Sequence, residues 1–223
     1  MKIPFAVDRL NSQLPLKERQ AQLSPALKAL HQAILHSLAM HGTVLPTDEM
    51  AALVGDAEVA AAIQTLAAQD LIVLDGSATK VVGAYPLTTE VTPHRLRIGD
   101  HSLYAMCALD AVSVAPMFAT EVRITSHCHV TGEAVHIHMR GADVIDSKPA
   151  EVIIGIRWQM PCGVAAHSMC TEMVFLKDSK TAHQWQGDEL ENISVFTLVE
   201  AIEFGMAFFM PLLTTSTKYD RFV

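Results

Sequence analysis

What most constrains the folding of this 223-residue chain is a change of hydrophobic period near Tyr85 and Pro86. Before that point the apolar residues recur at helical spacing. Leu27, Leu30, Ile34, Leu35 and Leu38 predict an amphipathic helix over 24–41, with Pro25 suited to its first turn and Gly42 to its stop. Pro46 and Thr47 open a short helix that runs to Val54 and is broken by Gly55. A third helix is expected over Ala57 to Ala68, capped by Asp56. Two β-rich runs then flank Asp75 and Gly76, the pattern of a hairpin. Three helices and a hairpin make a winged-helix-like module, assigned to residues 1–83.

Beyond Pro86 the pattern is one of short strands and separate helices. A helix is expected around Leu103 to Asp110, ending or kinking before Pro116. Strands are expected at Glu121–Ser126 and Ala134–Met139, joined by a turn at Thr131-Gly132-Glu133, and again at Ile153–Trp158 and Met169–Leu176. A short helix at Thr181–Trp185 and a long buried one from Phe196 to Leu213 complete the chain. This order predicts an α+β fold, with a mixed β-sheet domain flanked by helices over 84–223.

Charge removes one function that a winged helix suggests. Residues 1–87 hold six Lys or Arg against eight Asp or Glu, and the third helix has no basic residue. A recognition helix without Lys or Arg lacks phosphate anchors and guanine readers, so no nucleic-acid partner is expected. The net charge of −8 agrees. The N-terminal residues form no signal-peptide pattern, and the apolar tract from Ile193 to Leu213 is interrupted by Glu200 and Glu203. A cytoplasmic protein that does not engage a membrane is expected.

The candidate chemistry lies in L-Y-A-M-C-A-L-D, Leu103 to Asp110, where a thiol and a carboxyl stand three residues apart. On a helix that spacing puts both on one face. A cysteine acts as a nucleophile or soft-metal ligand as thiolate, and a neighbouring carboxyl can take or hold its proton. Taken alone, the spacing also fits a small core cysteine beside an aspartate that reaches solvent. The other cysteines, Cys128, Cys162 and Cys170, form no C-x-x-C with it or with each other, which excludes the usual thioredoxin and zinc-ribbon patterns. His136 and His138 share one face of a predicted strand, but no third and fourth ligand completes a zinc or copper set, and exposed strand histidines are the simpler reading.

Three segments together carry a resemblance: L-Y-A-M-C-A-L-D at 103–110, R-I-T-S-H-C-x-x-T-G at 123–132 and S-M-C-T-E-M-V-F at 168–175. They resemble the organomercurial lyases (alkylmercury lyases). The likeness extends from about Val82, within V-V-G-A-Y-P-L-T, to V-E-A-I-E-F-G at 199–205. It implies catalytic thiols at Cys107 and Cys170, which also bind the substrate and product mercury, a catalytic carboxyl at Asp110 and a structural cysteine at Cys128. Cys162 matches nothing in the family pattern and is read as a loop bystander. Met106 stands where many relatives carry Trp, and Thr171 where some carry a second Cys. The implied activity is protonolysis of a carbon–mercury bond to a hydrocarbon and Hg(II), in mercury detoxification, with no organic cofactor. External thiols would release the metal and mercuric reductase would accept it. The alternative is a thiol-based module that binds or senses a soft metal without cutting anything; Asp110 discriminates, since a binder gains little from an acid there.

Overall fold

The computed structural model describes residues 2–214. Two helices that the sequence pattern did not reveal, α1 (Lys2–Gln13) and α2 (Leu16–Ala21), come first. They are followed by α3 (Pro25–His41), α4 (Thr47–Val54) and α5 (Val59–Ala68). The α3 helix forms as its ends dictate. The Ser24 hydroxyl accepts from the Leu27 amide, Pro25 fills the first turn, and Gly42 adopts the left-handed conformation that stops it. Its apolar stripe, Leu30, Ile34, Leu35 and Leu38, is fully buried. The α5 helix starts later than expected: Asp56 opens a 3₁₀ turn, Asp56–Glu58, and makes no capping bond.

The hairpin is β1 (Ile72–Leu74) and β2 (Val81–Ala84), paired antiparallel with a register irregularity. Next come β3 (Leu87–Thr88), β4 (His94–Ile98), β5 (His101–Ala105), α6 (Ala108–Met117), β6 (Glu121–His127), β7 (Ala134–Arg140) and β8 (Asp143–Lys148). The chain continues through β9 (Ile153–Arg157), β10 (Met173–Leu176), α7 (Ser179–Gln186), β11 (Ile193–Thr197) and α8 (Leu198–Phe209). The fold is α+β, with two sheets. One has eight strands in the order β1-β2-β3-β5-β4-β6-β7-β8, and the other is β10-β9-β11. The sequence led to a mixed sheet, but every strand pairing among the described residues is antiparallel.

Alternation sets the inner face of the large sheet. Val122 and Ile124 of β6 stand opposite Met139 and Ile137 of β7, all four buried, while the intervening positions carry Arg123 and His138 on the other face. The α6 helix packs behind β4, β5, β6 and β7, and α8 packs on α6. That approach depends on Gly205, since a Cβ there would stand 1.9 Å from Ser113 Oγ. On its other side α8 meets α1, and a single body of buried apolar side chains runs from Ala6 to Leu212. No single helix among the described residues is long and apolar enough to cross a membrane.

Three further elements differ from their sequence patterns. Leu103–Ala105 finishes strand β5, and the helix begins only at Ala108. Pro116 lies inside α6; being one residue from its end, it forfeits a single backbone bond rather than breaking the helix. Residues Met169–Glu172 form a 3₁₀ turn ahead of β10 in place of a continuous strand. The tract expected as one long helix from Phe196 starts as β11, and its helix begins after Thr197, whose hydroxyl and Glu200 form a reciprocal capping box.

Candidate active site

Cys107 is the residue that caps the N-terminus of α6. Its backbone is extended (φ −150°, ψ 178°), and its Sγ accepts the amide of Asp110 at 3.3 Å. The cap residue and the third helical residue meet at any helix start, as in a capping box. The thiol and carboxyl are therefore neighbours because of cap geometry, not because they share a face of a longer helix.

Cys170 arrives from 63 residues further along, on the 3₁₀ turn before β10. The segment that carries it is anchored to Asp70 and Tyr85, on either side of the β1–β2 hairpin. The Tyr85 hydroxyl donates to Asp70 Oδ1 at 2.9 Å and accepts the Ala166 amide at 2.8 Å, and Asp70 Oδ2 accepts the Ala165 amide at 3.1 Å. Asp70 holds this position with a left-handed backbone (φ +51°) just after α5.

The result is a buried cluster. Cys107, Asp110 and Cys170 are 0%, 2% and 3% exposed. One ligand atom from each lies within 4.8 Å of the other two, and no other His, Cys, Asp or Glu group of this kind occurs among the described residues. The structure thus brings together the three residues that the sequence singled out.

Burial dominates the electrostatics. It raises the Asp110 carboxyl to about 7, with hydrogen bonds from Cys107 pulling only partly the other way. Asp110 Oδ2 has no hydrogen-bond partner. Burial likewise pushes the Cys107 thiol well above its ordinary value, and the sharing of a hydrogen bond with Cys170 and the Asp110 charge push it further. A hydrogen bond with Cys107 pulls Cys170 down, but burial and the charges of Asp110 and Asp70 outweigh it, so its thiol is also raised. At neutral pH the resting cluster holds two thiols and a carboxyl poised between its two forms.

A cavity of about 360 Å³ opens beside the cluster. Cys170 is part of its wall, with Met106, His94, His127, Thr171 and Phe175. His94 packs edge-on against Phe175 and bonds Ser126 Oγ at 3.0 Å; burial lowers its pKa to about 4, so the ring is neutral. Met106 is held with its terminal methyl group over Gly83, where a Cβ would stand 2.8 Å away.

The remaining candidates lie elsewhere. Cys128 is buried in the β6–β7 turn, which is closed by its own amide to Glu133 O at 2.7 Å and by the Gly132 amide to Cys128 O at 2.8 Å. Cys162 is exposed. His138 binds Glu121 at 2.7 Å on the exposed sheet face, and His136 joins no ligand group. Asp70 and Tyr85 were missed, since their pairing depends on contacts that no local pattern encodes.

A family model described as alkylmercury lyase matches residues 87–210. The alkylmercury lyase of Staphylococcus epidermidis is 29% identical over 182 residues, 81% of each chain, and that of Bacillus cereus is 24% identical over 201 residues, 89% of each. A crystal structure of the mercury-bound form of MerB2 shares the fold with a TM-score of 0.75 at 21% identity, covering 89% of this chain and 98% of that one. With more than half its length matched by the family model and a buried Cys–Asp–Cys cluster in the matched region, the chain belongs to the alkylmercury lyase family, lyases that cleave carbon–mercury bonds.

Proposed function

We propose that Cys107, Cys170 and Asp110 carry out the protonolysis. The observation that carries this reading is the meeting of two thiols and one raised carboxyl within 4.8 Å, all three buried. A carbon–mercury bond survives water because it is only weakly polar; thiolates bind soft Hg(II) far better than oxygen or nitrogen donors do. Cys107 captures R–Hg(II) as thiolate, and its proton leaves with the displaced ligand. Cys170 then adds to the same metal, and its proton passes to Asp110. The added sulfur pushes electron density toward carbon, the Hg–C bonding pair stays with carbon, and Asp110 delivers the proton that makes R–H. Mercury remains Hg(II), held by two thiolates, and nothing is oxidised or reduced. A carboxyl at about 7 suits this role, since it can both take and give a proton near neutral pH.

The cavity beside Cys170 accommodates the organic group. A cavity of about 150 Å³ is enough for benzene, so about 360 Å³ admits aryl as well as small alkyl groups. No organic cofactor enters this scheme; external thiols remove the product, and mercuric reductase in the cytoplasm is the proposed acceptor. Cys128 is assigned a structural role in its turn. Residues 1–83 are read as a winged-helix-like module and 84–223 as the catalytic domain; the succession of α3, α4, α5 and the β1–β2 hairpin supports the first assignment.

Cys107→Ala, Cys170→Ala and Asp110→Ala should each abolish release of benzene from phenylmercury, or methane from methylmercury, as measured by headspace gas chromatography with excess thiol. Retained turnover in the Cys107 variant would sink the assignment. A protein that only binds the metal would yield no hydrocarbon even as wild type.

A further inference from the structure

We propose that Met173 supplies a third sulfur to the mercury, so that the metal is held by two thiolates and a thioether. The inference rests on the assignment of Cys107 and Cys170 as the mercury-binding thiols. In the resting protein the Cys107 thiol donates to Met173 Sδ at 3.6 Å. Met173 is 3% exposed and opens β10, three residues after Cys170 and directly behind the 3₁₀ turn that carries it.

Two features of this contact point to coordination rather than simple packing. First, Met173 Sδ lies within reach of the Cys107 Sγ, which also shares hydrogen bonds with Cys170 and Asp110, so a metal that replaces the Cys107 proton enters a space bordered by all three. A soft donor is thus already beside the sulfur that the metal meets. Second, the separation suits two ligands on one ion: two sulfurs bonded to one metal at ~2.3 Å, the length known for zinc thiolates, stand about 3.8 Å apart at a tetrahedral angle and about 4.0 Å apart at a trigonal one. The observed 3.6 Å needs little adjustment. A thioether is also chemically apt. It is soft, like the thiolates, but neutral and without a proton. It donates a lone pair to the metal, breaks no bond, changes no oxidation state and does not compete with Asp110 for the proton that carbon must receive. Its donation adds to the density pushed toward carbon and helps retain Hg(II) until an external thiol takes it.

The test uses the full chain loaded with Hg(II), with its methionines replaced by selenomethionine. Mercury-edge X-ray absorption distinguishes selenium from sulfur, so a thioether on the metal appears as one heavier neighbour without any substitution in the site. In the Met173→Leu variant, which conserves volume, that neighbour should vanish while both thiolate sulfurs remain. Transfer of Hg(II) to added glutathione should also speed up about tenfold, the low end of what loss of a supporting group at a metal site costs. A mercury spectrum without selenium, or one unchanged by Met173→Leu, overturns the proposal and leaves the two thiolates standing. Loss of the thiolate sulfurs from the wild-type spectrum overturns both assignments.

Discussion

Replacing Asp110 by Asn gives the sharpest test of the electrostatics, because it keeps the shape of the side chain and removes its titration. The folded protein holds the Asp110 proton up to about 7, against an ordinary carboxyl value of 3.8. A raised carboxyl binds more protons folded than unfolded between those values, so stability falls as pH rises through that window and is level again above it. The penalty relative to a neutral side chain works out at roughly 2 kcal/mol at pH 5 and roughly 4 kcal/mol at pH 8. Asp110→Asn escapes it. Urea unfolding of wild type and variant should therefore show the variant gaining about 2 kcal/mol on the wild type between pH 5 and pH 8. Groups that titrate in both proteins, His31 and His94 among them, cancel in the difference. A stability difference that does not move with pH would mean that Asp110 is an ordinary ionised carboxylate in contact with water, and its role as proton carrier would lose its physical basis. The variant should meanwhile release no hydrocarbon from phenylmercury.

Tyr85→Phe removes the hydroxyl that binds Asp70 and the Ala166 amide. It should cost about 2 kcal/mol and speed hydrogen exchange at 164–170, where unchanged exchange would show that the clamp does not hold the Cys170 turn. Gly205→Ala drives a methyl group to 1.9 Å from Ser113 Oγ and should cost about 3 kcal/mol in urea unfolding. Adding Ser113→Gly should recover most of that, and a failure to recover would place the strain elsewhere. His31 and His94 are both lowered to about 4 by burial, His31 being opposed by its bond to Leu71 O. A neutral buried histidine contributes stability that is present above its unfolded pKa of ~6.5 and lost as pH falls toward 4. NMR titration of the two rings should find both below 5, and a value near 6.5 for either would show that its ring reaches water.

Local signals foretold local structure. Ser24, Pro25 and Gly42 bounded α3 correctly, and the strand patterns at Glu121–Ser126 and Ala134–Met139 located β6 and β7, each one residue short of its end. Strand β8 escaped notice because it is an edge strand with no fully buried residue, and Asp143, Asp146 and Lys148 conceal it. The Cys107 to Asp110 spacing marked a true pair for an incomplete reason, since a helix cap and a helix face both bring residues three apart together. Cys170 had no local signal at all, and only its likeness to a known family linked it to Cys107. Its place is set by the packing of α6 on β10 and by the Tyr85–Asp70 anchor, both long-range contacts. The same holds for Met173, which sequence alone presents as one more apolar strand residue.

The central claim is that one mercury ion is closed between two sulfurs beside an acid. Crystals of the Cys162→Ser protein, lacking its exposed thiol, should be exposed to phenylmercury and measured by anomalous diffraction at the mercury edge. The account predicts a single strong peak within bonding distance of both Cys107 Sγ and Cys170 Sγ, next to the Asp110 carboxyl and with no phenyl density remaining. A peak on Cys128, or on only one of the two site thiols with the phenyl group still attached, would contradict it.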